Sequence, residues 1–439
     1  MTYYLPQSII LLSLILSTLT ISTIAQSKPR SLILPLTKDR ATNQILTRIE
    51  IGTPRVSRNF IVDIAGRQLW LDCYSGYSNS SSTYRLARCG SAACSVGKAD
   101  CPGPCLLPPR PGCFNNTCVV LTRNPIRTTA GISPLSLDTV SLHSTSTSGA
   151  RGGPRVSIPN FIFACEDEFQ LDNLAAGVEG ALGLSSERIG LPSQISTAFG
   201  GSLRREFALC LPSDPNSDGV LFLGAAPYVI ANRVDYSTRF RYTRLVKNYE
   251  RTASPNVPGA EIPAYFVRIT SILVSESPIP INSSLLEFRR TGIGGSAIST
   301  VDPYTILDSS IYRSLVSAFE RSGAMGNVSK AAAVAPFGNC YEKKDLSIGR
   351  MGLEVPKISL VFESREVKWD LFGENSMVDV NDDVACLGFV DGGSDTTSSI
   401  VVGAHQMQDN LVHFDLHSSR MGFTNSLLLE GVRCSLFHI

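Results

Sequence analysis

No extended block of like charge occurs in this 439-residue chain, whose formal net charge is +1 and whose charged residues make up only 18%. With no basic tract to displace phosphate counterions, nucleic acid is not expected as a partner. An acidic or basic tail is likewise absent. The five histidines are scattered and no Gly-x-Ser-x-Gly elbow accompanies them, so a serine-triad hydrolase lacks its parts. The glycines of "GVEGALG" (Gly177 to Gly183) have no Lys-Ser/Thr after them and mark a turn, not a phosphate loop. His413 and His417 have the i, i+4 spacing of helical zinc ligands, yet "LVHFDLH" alternates as a strand. No metal and no cofactor is expected.

Long apolar runs are also missing, with one exception. Ile9 to Ile24 is apolar with interspersed Ser and Thr, short for a bilayer span of about 20 residues. Thr23-Ile24-Ala25 offers the small residues that a signal peptidase reads, although no Lys or Arg precedes the run. Residues 1–25 are therefore expected to be a signal peptide, with a secreted mature chain beginning near Gln26 and no membrane segment after it.

What the chain does contain fits that compartment. Of its twelve cysteines, Cys89, Cys94, Cys101, Cys105, Cys113 and Cys118 crowd one Pro/Gly-rich stretch; Cys73, Cys165, Cys210, Cys340, Cys386 and Cys434 are dispersed. Behind a signal peptide an even count reads as disulfides, and six clustered cysteines allow 15 connectivities. Asn79, Asn115, Asn282 and Asn327 each begin an Asn-x-Ser/Thr acceptor for N-glycans.

Strand-like runs dominate. "LTRIEIG", "RNFIVDI", "RQLWLDC", "IPNFIFAC", "FALCL" and "GVLFLG" are bounded by Gly, Pro, Asn or Ser. After a polar stretch from Lys247 to Pro258 a second series follows: "AYFVRITSILV", "PKISLVFES", "VACLGFV", "SIVVGAH" and "LVHFDLH". Helical pattern is confined to "SSIYRSLVSAFERSG" (Ser309 to Gly323), with Ile311, Leu315, Ala318 and Phe319 on one face, and to a short helix with Pro192 in its first turn. The expectation is an all-β protein with a few short helices and two similar halves: residues 26–226 (with a Cys-rich insertion at 89–118), a connection over 227–262, and residues 263–439.

At this point a family resemblance enters. "IVDIAGRQLW" resembles the first active-site loop of pepsin-type aspartic proteases, Asp-Thr-Gly-Ser followed by Leu-Trp. "GVEGALGLS" resembles their inner loop, "DGVLFLG" the strand closing the first lobe, and "IVVGAHQMQDNLVHFDLHSSRMGF" the closing segment. "PGCFNNTC", "APFGNCY" and "STVDPYTIL" are similar to a plant branch holding extracellular dermal glycoproteins, basic 7S globulins and xylanase or xyloglucanase inhibitors. The resemblance implies the bilobal pepsin-like fold. It also implies pairing of Cys340 with Cys386 and of Cys210 with Cys434.

Proteolysis on that scaffold needs two carboxylates sharing one proton, one activating water while the other protonates the carbonyl. Here Asp63 survives, but Ile64 stands where the bracing Thr would be and Ala65 where the Gly would be. Active relatives carry the second aspartate thirteen residues before the tyrosine of the following helix, and counting back from Tyr312 reaches Ser299. Moving the register to Asp302 would put Tyr304 where a glycine is needed for close approach, so that shift is rejected. The flap region, Val119 to Leu142, contains no tyrosine. Asp63 is expected to be structural, accepting hydrogen bonds from a turn, and Trp70 to be core.

The plant branch includes proteins that plug glycosidase clefts, where a pair of carboxylates invites an inserted cation. Two loops are the candidate partner surface: Lys330 within "NVSKAAAVAPFGN", and Asp391, Ser394, Asp395, Thr396 and Thr397 within "VDGGSDTTSS". The second loop is acidic where a cation would serve. The sequence thus points to a secreted, inactive protease homologue binding a xylanase or xyloglucan endoglucanase in plant defence. The alternatives are an aspartic endopeptidase, a storage-type 7S-like globulin and a peptide-binding protein.

Overall fold

Period-two alternation is plain in Ile45–Ile51, where Ile45, Thr47, Ile49 and Ile51 are buried and Arg48 faces solvent. This strand pairs antiparallel with Val56–Asp63, whose last residues are apolar on both faces because the strand enters the middle of a layer. The computed structural model describes residues 29–103, 115–127, 129–146, 149, 151–231, 234–248 and 264–437. The expected signal peptide, Cys105, Cys113 and much of the expected inter-lobe connection lie outside them. Among these residues the fold is bilobal and mostly β, built on a 19-stranded sheet with smaller sheets beside it.

Each half repeats one motif. In the first, Val56–Asp63 runs parallel to Val178–Gly183, which pairs antiparallel with Trp70–Asp72, itself parallel to the end of Gly152–Glu166. In the second, Ser296–Ile298 runs parallel to Ile400–Val402, which pairs antiparallel with Thr305–Leu307, itself parallel to Phe389–Asp391. The crossing leaves no room for side chains at two matched positions. A Cβ on Gly183 would lie 2.4 Å from the Gly66 carbonyl, and one on Gly403 would lie 2.3 Å from the Tyr304 carbonyl carbon. Cys73 and Cys165 close the first motif with a disulfide. At the corresponding place in the second, the Ser309 hydroxyl donates to the Asp391 carboxylate.

The halves meet through Glu206–Cys210 and Leu411–Asp415, paired antiparallel, with Phe207 stacked on Phe414 at 4.8 Å. One apolar core runs from Leu32 to Phe423 across both. The disulfide between Cys210 and Cys434 closes the interface. The helix Ser309–Glu320 begins where the Asp308 carboxylate accepts the Ser310 N–H at 2.8 Å, and it buries Ile311, Tyr312, Leu315 and Phe319. Among the described residues no helix is long and apolar enough to cross a membrane.

Candidate functional site

Asp63 ends its strand at the point where the chain must turn back. The turn takes the carboxylate as its cap: the Ala65 N–H donates to Asp63 Oδ1 at 2.9 Å, and the Gly66 N–H to the Asp63 carbonyl at 3.0 Å. Burial pushes this carboxyl up to about 6, partly offset by the Ala65 and Gly66 N–H groups and increased by the nearby charge of Asp302. In the second half Ser299 follows the matched strand, its N–H donating to Val402 O at 2.9 Å. Its hydroxyl caps the equivalent turn, accepting the N–H of Val301 at 3.2 Å and of Asp302 at 3.1 Å. Asp63 and Ser299 thus each follow one of the repeated strands and cap the turn beyond it, one with a carboxylate and the other with a hydroxyl.

The structure adds two residues to this picture. The Thr300 hydroxyl donates to the Val62 carbonyl at 2.6 Å and accepts the Ile64 N–H at 3.2 Å, so half of the brace between the two loops persists. Ile64, fully buried, offers nothing in return. Asp302, rejected from the register of the second loop, lies close enough to bear on Asp63. Burial raises its own carboxyl, offset by a hydrogen bond from Ser299. The role of Thr300 was not visible in the sequence, since it acts across the molecule, and Asp302 entered the sequence reading only as a rejected register.

The flap hairpin is Val119–Arg123 paired with Ala130–Thr145. Its turn is fastened to the short helix Glu168–Leu171 and its neighbours. The fully buried Asn124 donates to the carbonyls of Gln170 and Asp172 at 2.8 Å each and accepts the N–H groups of Ile126 and Arg127. Arg127 pairs with Asp172 at 2.5 Å, and Thr129 bonds Gln170 at 3.2 Å. On the adjacent strand Ser133 donates to buried Glu166.

The two candidate partner loops converge. Val334 to Phe337 of one and Val390 of the other line a single cavity of about 590 Å³, with Pro303 and Tyr304 just beyond Asp302, and with Thr42 and Asn43 from the first half. The individual residues are less free than the sequence suggested. Lys330 lies in the two-residue strand Lys330–Ala331 and its ammonium pairs with Glu320 at 2.6 Å, although the side chain is 64% exposed. Asp391 accepts Ser309 and the Gly393 N–H, and these hold its carboxyl below the usual range. Ser394 and Asp395 are exposed, Thr396 is half-buried and Thr397 is exposed while its carbonyl accepts the Gly294 N–H.

The other described cysteines are joined as Cys89–Cys101, Cys94–Cys118 and Cys340–Cys386. Asn79, Asn115, Asn282 and Asn327 are all exposed. Trp70 is core at 3% exposure, and His413 bonds the buried Glu206 at 3.2 Å, so it has an internal partner.

Comparison with known proteins matches residues 46–225 to the family model "Xylanase inhibitor N-terminal" and residues 264–425 to "Xylanase inhibitor C-terminal". A protein named "Probable aspartic proteinase GIP2" from Nicotiana benthamiana is 44% identical over 98% of this chain and 97% of its own. "Gamma conglutin 1" of Lupinus albus is 37% identical over 94% of this chain and 89% of its own. Among solved structures, that titled "Crystal structure of edgp" superposes with a TM-score of 0.88 at 42% identity, covering 93% of this chain and 98% of the other. Soybean basic 7S globulin superposes at 0.79 and 30% identity, covering 93% of this chain and 98% of its own.

Proposed function

Because the chain belongs to the xylanase-inhibitor family of the pepsin-like fold, we propose that it is a secreted, non-proteolytic protein that works by binding another protein, with a cell-wall glycoside hydrolase as its partner. The observation that carries this reading is that the second turn is capped by a hydroxyl, that of Ser299, where the first is capped by the Asp63 carboxylate. A hydroxyl capping a turn cannot hold the proton that a water-activating pair must share. The fastened flap supports the same reading, since a hairpin pinned at its turn is poorly suited to closing over a substrate. The four exposed acceptor asparagines are proposed N-glycan sites and fit an apoplastic or wall location.

One observation favours a second reading. The Asp302 charge bears on Asp63, and a displaced acid near the surviving one is what a relic endopeptidase would retain. Acid-pH cleavage of denatured haemoglobin separates the two. No pepstatin-sensitive cleavage is expected; cleavage that pepstatin stops and Asp63→Ala removes would sink the binding reading. For the partner, the pure protein is to be passed over immobilised, purified xylanases and xyloglucan endoglucanases. Stoichiometric retention by at least one is expected, and retention by none is the outcome of a storage-type globulin.

A further inference from the structure

We propose that the cavity at the lobe junction is a docking pocket for a cationic segment of a protein partner. One apolar or aromatic side chain of that segment enters the cavity while an adjacent Arg or Lys meets the aspartates beside it. The inference rests on the reading of the chain as a protein that binds proteins, and it gives the chemistry of what is bound.

The cavity has the size of a ligand site, about 590 Å³, and its walls are chiefly apolar: Tyr304, Val334, Phe337, Val378 and Val390. It is open from outside, because Val334, Ala335 and Pro336 are exposed. Its walls are also rigid. Tyr304 meets Phe337 edge-on at 4.6 Å, and its hydroxyl accepts the Asn43 amide at 3.3 Å from across the junction. Phe337 packs on the disulfide-bonded Cys340 and Cys386, which anchor the strands of both flanking hairpins. A preformed apolar pocket on a stapled support is what a partner's anchor side chain requires.

Charge selects the rest of the segment. From 378 to 395, the stretch contributing Val378 to Val380 and Val390 to the walls, the chain carries Asp379, Asp382, Asp383, Asp391 and Asp395, and no Lys or Arg. Lys343 answers Asp379 at 2.9 Å, and Arg313 lies near Asp391. Among the described residues no ion pair engages Asp382, Asp383 or Asp395, all of them exposed. An acidic stretch that holds the lining residue Asp379 and continues directly from the wall residues Val380 and Val390 repels a glycosidase's catalytic carboxylates and attracts a cationic segment elsewhere on the partner. The acidity that disqualified this loop as an inserting element thus suits it as a receiving one.

The test uses the full mature chain and three peptides in calorimetric titrations at low salt: Ac-Gly-Phe-Arg-Lys-Gly-NH2, its acidic counterpart with Glu-Asp for Arg-Lys, and its anchorless counterpart with Gly for Phe. Saturable one-to-one binding of the first is expected, with the other two at least about tenfold weaker. Ala335→Trp, which fills the cavity from an exposed loop, should abolish binding. Asp382→Asn with Asp383→Asn should weaken it about tenfold and flatten its salt dependence. Equal binding of all three peptides, no binding of any, or affinity untouched by Ala335→Trp would overturn the pocket. The purified hydrolase panel, run in parallel, keeps the two readings apart. A hydrolase retained equally by wild type and Ala335→Trp upholds protein binding and overturns this pocket. Peptide binding with no hydrolase retained upholds the pocket and removes the hydrolase.

Discussion

Glu166, 6% exposed at the base of the flap, accepts the Ser133 hydroxyl, and burial pushes its carboxyl up to about 7. A folded-state value above the unfolded one means that the native state binds the proton more tightly. The associated stability is therefore present below about pH 4.5 and is lost as pH rises towards 7. Glu166→Gln keeps the acceptor for Ser133 without the buried charge. Urea unfolding should show it unchanged at pH 4 and more stable than wild type at pH 8 by about 2–3 kcal/mol. No gain at pH 8 would mean that water reaches this carboxylate. Asp63, pushed up to about 6, has the same sign, so the protein is expected to be most stable in mild acid. At this scale the sequence was partly legible. The thirteen-residue count to Tyr312 singled out Ser299, and that residue lies just after the strand Ser296–Ile298 with its hydroxyl capping the turn ahead of the helix. Thr300 was passed over because its partner is 238 residues away, which no local pattern encodes.

The flap is where element and residue separate. The hairpin itself is ordinary alternation, yet its fastening rests on one asparagine with no exposure at all. Asn124→Ala leaves the Gln170 and Asp172 carbonyls without those donors and the Ile126 and Arg127 N–H groups without their acceptor. Each buried unpaired group costs about 1–3 kcal/mol. Hydrogen exchange should therefore show the amides of Val119–Arg123 losing protection by about 10²-fold or more while those of Glu206–Cys210 keep theirs. Uniform loss in both strands would indicate that the hairpin opens only with the whole molecule. The elements read most directly from sequence were those with self-contained signals. The helix at Ser309 has its cap and its buried face in twelve consecutive residues. "AYFVRITSILV" proved to be two strands, Tyr265–Val267 and Ile269–Val274, the first pairing with Ser296–Ile298 and the second with Ile358–Phe362. Composition carries no mark of that change of partner. The cavity was likewise beyond reach, because its walls come from chain segments between Thr42 and Val390 that only the fold assembles.

For the whole molecule the governing constraint is the disulfide from Cys210 to Cys434, which spans 224 residues. In the chain-entropy account a loop of that length contributes about 5 kcal/mol by restricting the unfolded ensemble. Both sulfurs are fully buried at the junction of the halves, so Cys210→Ala with Cys434→Ala should also loosen the strands between them. Thermal unfolding is expected to show a marked loss of stability and, if the halves then melt apart, two transitions in place of one. An unchanged single transition would assign cohesion to the shared core around Phe207 and Phe414 alone. Division into two similar halves was legible in the second series of strands, since both are built from one arrangement of residues. That arrangement is fastened in two unlike ways. Cys73–Cys165 yields only to an electron donor, whereas the Ser309 contact to Asp391 yields when the carboxylate takes up a proton. At these two matched fastenings a thiol acts on the first lobe and an acid on the second, giving a molecule of doubled design two independent routes to wear.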